Sequence, residues 1–186
     1  LSIIDREGGG QPMTDVSGGV TIVFNGEIYN FAVLREELSS QYHFQTRSDT
    51  EVILAAYRIW GNHFLDRLDG MFAMALWDQK NERLILARDR FGEKPLFWTM
   101  VSGTLIFGSE LKALHAHPKT PRVIDRTALA KYFVYEYVPA PHTIWQDIQK
   151  LEAGHMVVMD RIGFRIERYY SLLDEPHASY AYTEQE

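Results

Sequence analysis

Apolar residues along this chain recur with two different periods, and the changes between them divide it into blocks. Residues 1–4 and 20–24 are short apolar runs of the kind that make buried strands, separated by a polar, glycine-rich stretch at 7–11 and Pro12. After Asn25-Gly26 the period lengthens. Phe31, Leu34 and Leu38 share one face of a helix that Asn30 is placed to cap. Val52, Ile53, Ala56, Ile59 and Trp60 form the inward face of a second helix, which Ser48-Asp49-Thr50-Glu51 opens as a capping box and Gly61 closes. A shorter helix is expected at 63–68.

Four strands follow, at 71–77, 84–87, 96–101 and 104–107. The first is apolar at every position, which predicts burial on both faces. Ser102-Gly103 fits a two-residue hairpin turn between the last two. Ser109 is placed to cap a helix running to His115, and Asp125 another running to Tyr137, where Pro139-Ala140-Pro141 stops it. Residues 156–159 and 164–169 read as a final hairpin, and the polar stretch from Leu172 as a linker. Strands and helices come in blocks and not in strict alternation, which predicts an α+β fold: two layers of mostly antiparallel sheet with helices outside.

The composition narrows the partners. A chain of 186 residues that is 46% hydrophobic and 24% charged holds one domain with a sizeable core. Its net charge of −6, with no cluster of Lys and Arg, argues against nucleic acid and acidic membrane surfaces. No apolar run is long enough to span a bilayer. Cysteine is absent, so these residues hold no disulfide, thiolate metal site or cysteine nucleophile, a composition compatible with a cytoplasmic protein.

Three places could carry chemistry. Asn25-Gly26-Glu27 follows a buried strand, where a side-chain amide and a glycine N–H could both donate to one oxygen, as an oxyanion hole requires; a glycine-containing turn is the plainer reading. Asp49 lies in the first turn of a helix, where a carboxylate complements the dipole or could bind an ammonium group. The loop from Arg88 to Pro95 is rich in charge, and paired charges that hold it in place are the simplest account. Other strings are weaker. Ser17-Gly18-Gly19-Val20 begins like a pyrophosphate-binding loop but continues with Thr21 and Ile22 in place of Asp and Ser. Ser109-Glu110-Leu111-Lys112 has the Ser-x-x-Lys spacing of β-lactamases, which a helix cap explains more simply. His115 and His117 lack further ligands for a metal.

Taken together, longer strings point to a family. Phe24-Asn25-Gly26-Glu27-Ile28-Tyr29-Asn30 resembles a signature of the asparagine synthetases. Arg47 to Leu54, Leu68-Asp69-Gly70-Met71-Phe72-Ala73, Arg88-Asp89-Arg90-Phe91-Gly92 with Lys94-Pro95-Leu96, and Gly108 to Leu114 follow in that family's order and spacing. Leu1-Ser2-Ile3-Ile4-Asp5 and Gly10-Gln11-Pro12-Met13 extend the similarity to the first residue.

The resemblance implies a four-layer αββα sandwich of the N-terminal nucleophile hydrolases, here without its first strand. Residues 1–170 would be the glutamine amidotransferase domain and 171–186 a linker toward an ATP-dependent synthetase domain. The implied reaction is hydrolysis of the glutamine side-chain amide. An N-terminal Cys would attack the amide through a thioester, and the ammonia would pass to that second domain, where ATP and magnesium would act on aspartate or a related carboxylate. The first domain itself needs no cofactor. Carried over by position, Asn25 and Gly26 form the oxyanion hole, Glu27 lies against glutamine, Asp49 takes its α-ammonium, and Ile3 and Ile4 line the pocket. Arg88-Asp89-Arg90 and Glu110 support the site and its domain contact. The family's Cys and the Arg that grips the glutamine carboxylate have no counterpart in these residues, so the chain as it stands is expected to be inactive. Two alternatives stay open: a non-catalytic module, as in β-lactam synthetases, or the first domain of an aminosugar or purine-precursor amidotransferase. A homodimer also stays open.

Overall fold

The computed structural model describes residues 4, 5 and 7–174. Among these described residues, nine strands and five α-helices build two antiparallel sheets with helices outside. The larger sheet has six strands in the order β1 (Met13–Thr14), β2 (Val20–Ile28), β3 (Gly70–Asp78), β4 (Arg83–Arg88), β8 (His155–Asp160) and β9 (Gly163–Arg168). The smaller has three, β6 (Thr104–Gly108), β5 (Phe97–Val101) and β7 (Gln149–Lys150). Helices α1 (Phe31–Leu38), α2 (Asp49–Trp60) and α3 (Phe64–Arg67) cover the larger sheet, while α4 (Leu111–His115) packs on β5 and β6. The predicted α+β sandwich is therefore the observed one.

The two-residue period of a strand sorts side chains between two cores. On one face of the large sheet Val20, Ile22, Phe24, Phe72, Met74, Leu76, Ile85 and Met156 meet the helices. On the other, Ala73, Ala75, Leu86 and Val157 meet Leu96, Trp98 and Leu151 from the side of the small sheet. Strand β3 feeds both cores, which is why residues 72–76 are all buried and why its sequence is apolar without alternation. Helix α2 is enclosed along its first nine residues, from Asp49 to Tyr57.

Several predicted details take a different form. Ser48 caps α2 by accepting the Thr50 N–H at 3.2 Å, but Glu51 does not complete a capping box. Its carboxylate turns back to the preceding loop and accepts the N–H groups of Gln45 and Thr46 at 2.8 and 2.6 Å. Asn30 does not cap α1; its amide bonds the Arg67 carbonyl and the Asp69 N–H, tying the start of α1 to the entry of β3. Ser109 does not cap α4 either, as Glu110 occupies that position with no side-chain bond. Asp125 does cap α5 (Arg126–Tyr135), accepting from Thr127 and Ala128, but the helix ends at a left-handed Glu136 before the prolines are reached. Ser102 and Gly103 both have positive φ, 50° and 79°, the primed hairpin turn expected of them. Of the predicted first strand, residues 1–3 lie outside the described residues and Ile4 is in a bend.

Strands β2 and β3 approach each other through two glycines. A Cβ on Gly26 would sit 2.0 Å from the Met71 carbonyl oxygen, and one on Gly70 would sit 2.2 Å from that of Glu27. Each obstacle is backbone, so relief requires the strands to part. Gly70→Ala is therefore expected to lower stability by about 3 kcal/mol, the upper range for overpacking, as measured by chemical denaturation. Gly61→Ala, where a Cβ meets nothing but the φ of 57° disfavours it, serves as the control with a smaller loss.

Candidate functional site

The site is built on the second half of β2. Asn25-Gly26-Glu27 is neither a strand end nor a turn: the strand continues to Ile28, with Asn25 opposite Ala73, Gly26 opposite Phe72 and Glu27 opposite Met71. The apolar run stops at Phe24 because the outer edge of the strand changes its function there, while its pairing with β3 goes on. Asn25 and Glu27, two residues apart, stand on the face turned toward the small sheet.

Strand β1 covers the outer edge of β2 only at Thr21 and Ile22. Farther along, side chains replace it. Gln11 Oε1 accepts the Phe24 N–H at 2.6 Å, and Asp49 Oδ2 accepts the Ile28 N–H at 3.1 Å. Successive N–H groups of a strand point to opposite edges, so the N–H of Gly26, midway between Phe24 and Ile28, points to this same uncovered edge. Phe72, opposite Gly26, directs both its N–H and its carbonyl to Asp89 on the far side, as that parity requires.

The Asn25 side chain crosses to the other sheet. Its Nδ2 donates to Ser109 Oγ at 3.0 Å, just past the end of β6. One N–H of the amide is used in this bond and the second is left for a ligand. Beside it lies a cavity of about 200 Å³, lined by Gln11, Val23, Asn25, Ala73, Ala75 and Leu96 and, across the gap, by Phe107 and Ser109. The alanines opposite Val23 and Asn25 leave this space open.

Two carboxylates stand nearby. Asp49 is buried at the start of α2, where its Oδ1 accepts the Thr50 N–H at 2.9 Å and its Oδ2 the Ile28 N–H. It has no cationic partner among the described residues and keeps an acceptor position on Oδ2. The carboxylate thus serves the start of α2, as the dipole reading expects, and also the end of β2. The Glu27 carboxylate makes no hydrogen bond or ion pair among the described residues. Ile3 lies outside the described residues. Ile4 is half-buried next to Asp5, whose carboxylate accepts the N–H groups of Gly8 and Arg47 at 2.8 and 2.9 Å; these bonds hold it below the usual carboxylate range. The segment is thereby tied two residues ahead of Asp49.

The charged loop after β4 is organised by backbone bonds, contrary to the expectation of paired charges. The Asp89 carboxylate accepts four N–H groups, from Phe72, Phe91, Glu93 and Lys94. Arg88 donates to the carbonyls of Lys94, Leu151 and Gly92 at 2.8, 2.7 and 2.5 Å, and its burial pulls the guanidinium pKa below its ordinary value. Arg90 donates to the Asp66 carbonyl and lies over the Tyr170 ring. Glu110 is exposed and pairs with Lys112 at 2.7 Å, away from Asn25.

These residues match a known domain. The profile of the "Glutamine amidotransferase domain" family covers residues 1–170. The chain belongs to that family. Among curated proteins it is similar to the glutamine-hydrolysing asparagine synthetase 3 of Bacillus subtilis, 41% identical over 95% of this chain and 30% of the other. It is 44% identical to asparagine synthetase 1 of the same organism, over 83% of this chain and 24% of the other. The chain thus spans less than a third of the length of these relatives. Among solved structures, a glutamine phosphoribosylpyrophosphate amidotransferase from B. subtilis superposes with a TM-score of 0.60 at 23% identity, over 86% of this chain and 32% of that one. That likeness is one of fold.

Within this amidotransferase domain, the structure brings Asp49 beside the second half of β2, which carries Asn25, Gly26 and Glu27. Gln11 and Ser109 belong with them and were not singled out as site residues from sequence. Their signal was present in the Gly10–Met13 and Gly108–Leu114 strings, but their partners are 13 and 84 residues away.

Because Asp89 satisfies four N–H groups, Asp89→Ala is expected to cost about 3 kcal/mol or more in a denaturant titration. Asp89→Asn keeps one acceptor oxygen and should lose clearly less.

Proposed function

We propose that this domain binds glutamine and serves hydrolysis of its side-chain amide, supplying ammonia to ATP-dependent amidation of aspartate or a related carboxylate by the rest of a longer chain. The observation that carries this reading is the Asn25 amide beside a cavity between the sheets, next along β2 to a Gly26 N–H that strand parity directs to the outer edge.

The chemistry asks for those groups. When a nucleophile adds to the glutamine amide carbon, the carbonyl oxygen becomes an oxyanion, and two preorganised donors stabilise it more than the ground-state carbonyl. Collapse of the tetrahedral species expels ammonia and leaves an acyl group on the nucleophile, which water then removes as glutamate. Asn25 and Gly26 provide donors on a strand held by a continuous ladder, so little reorganisation is needed. Asp49 faces the α-ammonium of the substrate with its remaining acceptor position, and Glu27 offers an uncommitted carboxylate on the Asn25 face. The 186 residues contain no cysteine, so the thiol nucleophile of this reading lies in chain outside them.

The similarity to asparagine synthetases, at 41% and 44% identity, supports aspartate as the acceptor over aminosugar or purine precursors.

In the intact protein, Asn25→Ala is expected to slow glutamine hydrolysis about a hundredfold. Synthesis from added ammonia should be nearly unchanged. Equal loss with both nitrogen sources would refute the oxyanion-hole role. Asp49→Asn should raise the KM for glutamine, read by steady-state kinetics. An unchanged KM with a lower melting temperature would leave Asp49 as a helix and strand fastener alone.

A further inference from the structure

The bond between Asn25 and Ser109 is the part of the site that neither the strand nor the helix dipole explains. Asn25 Nδ2 meets Ser109 Oγ at 3.0 Å across the gap between the two sheets, 84 residues apart in the chain. Ser109 has no capping bond to α4, so its hydroxyl is not committed to the helix that follows it. Its backbone is nonetheless firmly placed. Gly108 closes β6 opposite Phe97 and packs so tightly under α4 that a Cβ there would lie 3.3 Å from the side chains of Ala113 and Leu114. Both residues also line the cavity beside Asn25.

An asparagine amide on a strand has a freely rotating terminal torsion, so its donor direction is set by what it bonds. With one N–H directed to Ser109, the plane of the amide is defined and the second N–H has a fixed heading. We infer that Ser109 is a positioning residue for glutamine hydrolysis: it orients the Asn25 amide from the opposite sheet so that the remaining N–H is preorganised for the oxyanion. This rests on the oxyanion-hole reading of Asn25. It makes donor geometry depend on the distance between the sheets, so the site senses how the small sheet and α4 sit on the large one.

The test is a double-mutant cycle in the intact protein, with glutamine hydrolysis and ammonia-dependent synthesis measured side by side. Ser109→Ala should lower kcat for glutamine about tenfold, less than loss of the donor itself, with KM within about twofold and ammonia-dependent synthesis retained. Ser109→Thr keeps the hydroxyl and should restore most of the rate. In the Asn25→Ala background, Ser109→Ala should add less than about a twofold further loss, since there is no amide left to orient. Three results would overturn the inference. A normal rate in Ser109→Ala, with Asn25→Ala slow, removes Ser109 and leaves the oxyanion hole standing. Equal losses with both nitrogen sources in the alanine and threonine variants, accompanied by a lower melting temperature, make the bond a strut between sheets. A normal rate in Asn25→Ala overturns Ser109 and the reading on which it rests together.

Discussion

Past Ile22, strand β2 has no neighbouring strand on its outer edge among the described residues, and the N–H groups there still require acceptors. Side chains meet that requirement. Gln11 reaches Phe24 from the loop before β1, and Asp49 reaches Ile28 from the first turn of α2. Between them the Gly26 N–H is left facing the opening. A fully paired strand would have consumed this donor; a disordered one could not have aimed it. The candidate site exists because the edge is closed on either side of one residue and open at it.

That arrangement tolerates little movement. The inner edge of the same strand is held against β3 so closely that Gly26 and Gly70 have no room for a side chain. Farther out, Asp89 fastens the loop after β4 to Phe72, the residue opposite Gly26, and Tyr169 donates to the Arg88 carbonyl at 2.6 Å. The chain of support runs from the last hairpin through β4 and β3 to β2. A loop of conspicuous charge spends its charges on backbone groups: the bond from Phe72 fixes the loop to β3 opposite Gly26, and most of the others hold the loop itself.

The two sheets differ in how completely they are covered. The face of the large sheet under α1, α2 and α3 holds the larger apolar core, whereas the core between the sheets is small and contains the cavity beside Asn25. The outer side of the small sheet is covered more thinly. Helix α5 buries only Ala128 and leaves Phe133, Val134 and Tyr135 exposed. Rigidity is thus concentrated on the side of β2 and Asp49, while Ser109 belongs to the less enclosed side. A hydrogen bond joining the two is well placed to connect the state of one layer to donor geometry in the other.

The sequence by itself determined the α+β class and the identity and approximate extent of most elements, and it singled out Asn25–Glu27 and Asp49 as candidates. Periodicity reports which face of an element is apolar, and Gly and capping residues report where the chain must turn; both are local properties. The type of the Ser102-Gly103 turn and the Asp125 cap were legible for the same reason. Only the tertiary structure decided what Asn30, Glu51, Asp89 and Ser109 bond to. Each is a polar residue whose local position admits a cap or an ion pair, and each found a partner that packing brought near: Asp69, Gln45, Phe72 and Asn25. A capping preference of about 1 kcal/mol is small enough to yield wherever another buried donor or acceptor needs that group more. The heading of the Gly26 N–H likewise depends on strand parity and on which edge β1 leaves uncovered, and both follow from the register of pairing between strands distant in sequence.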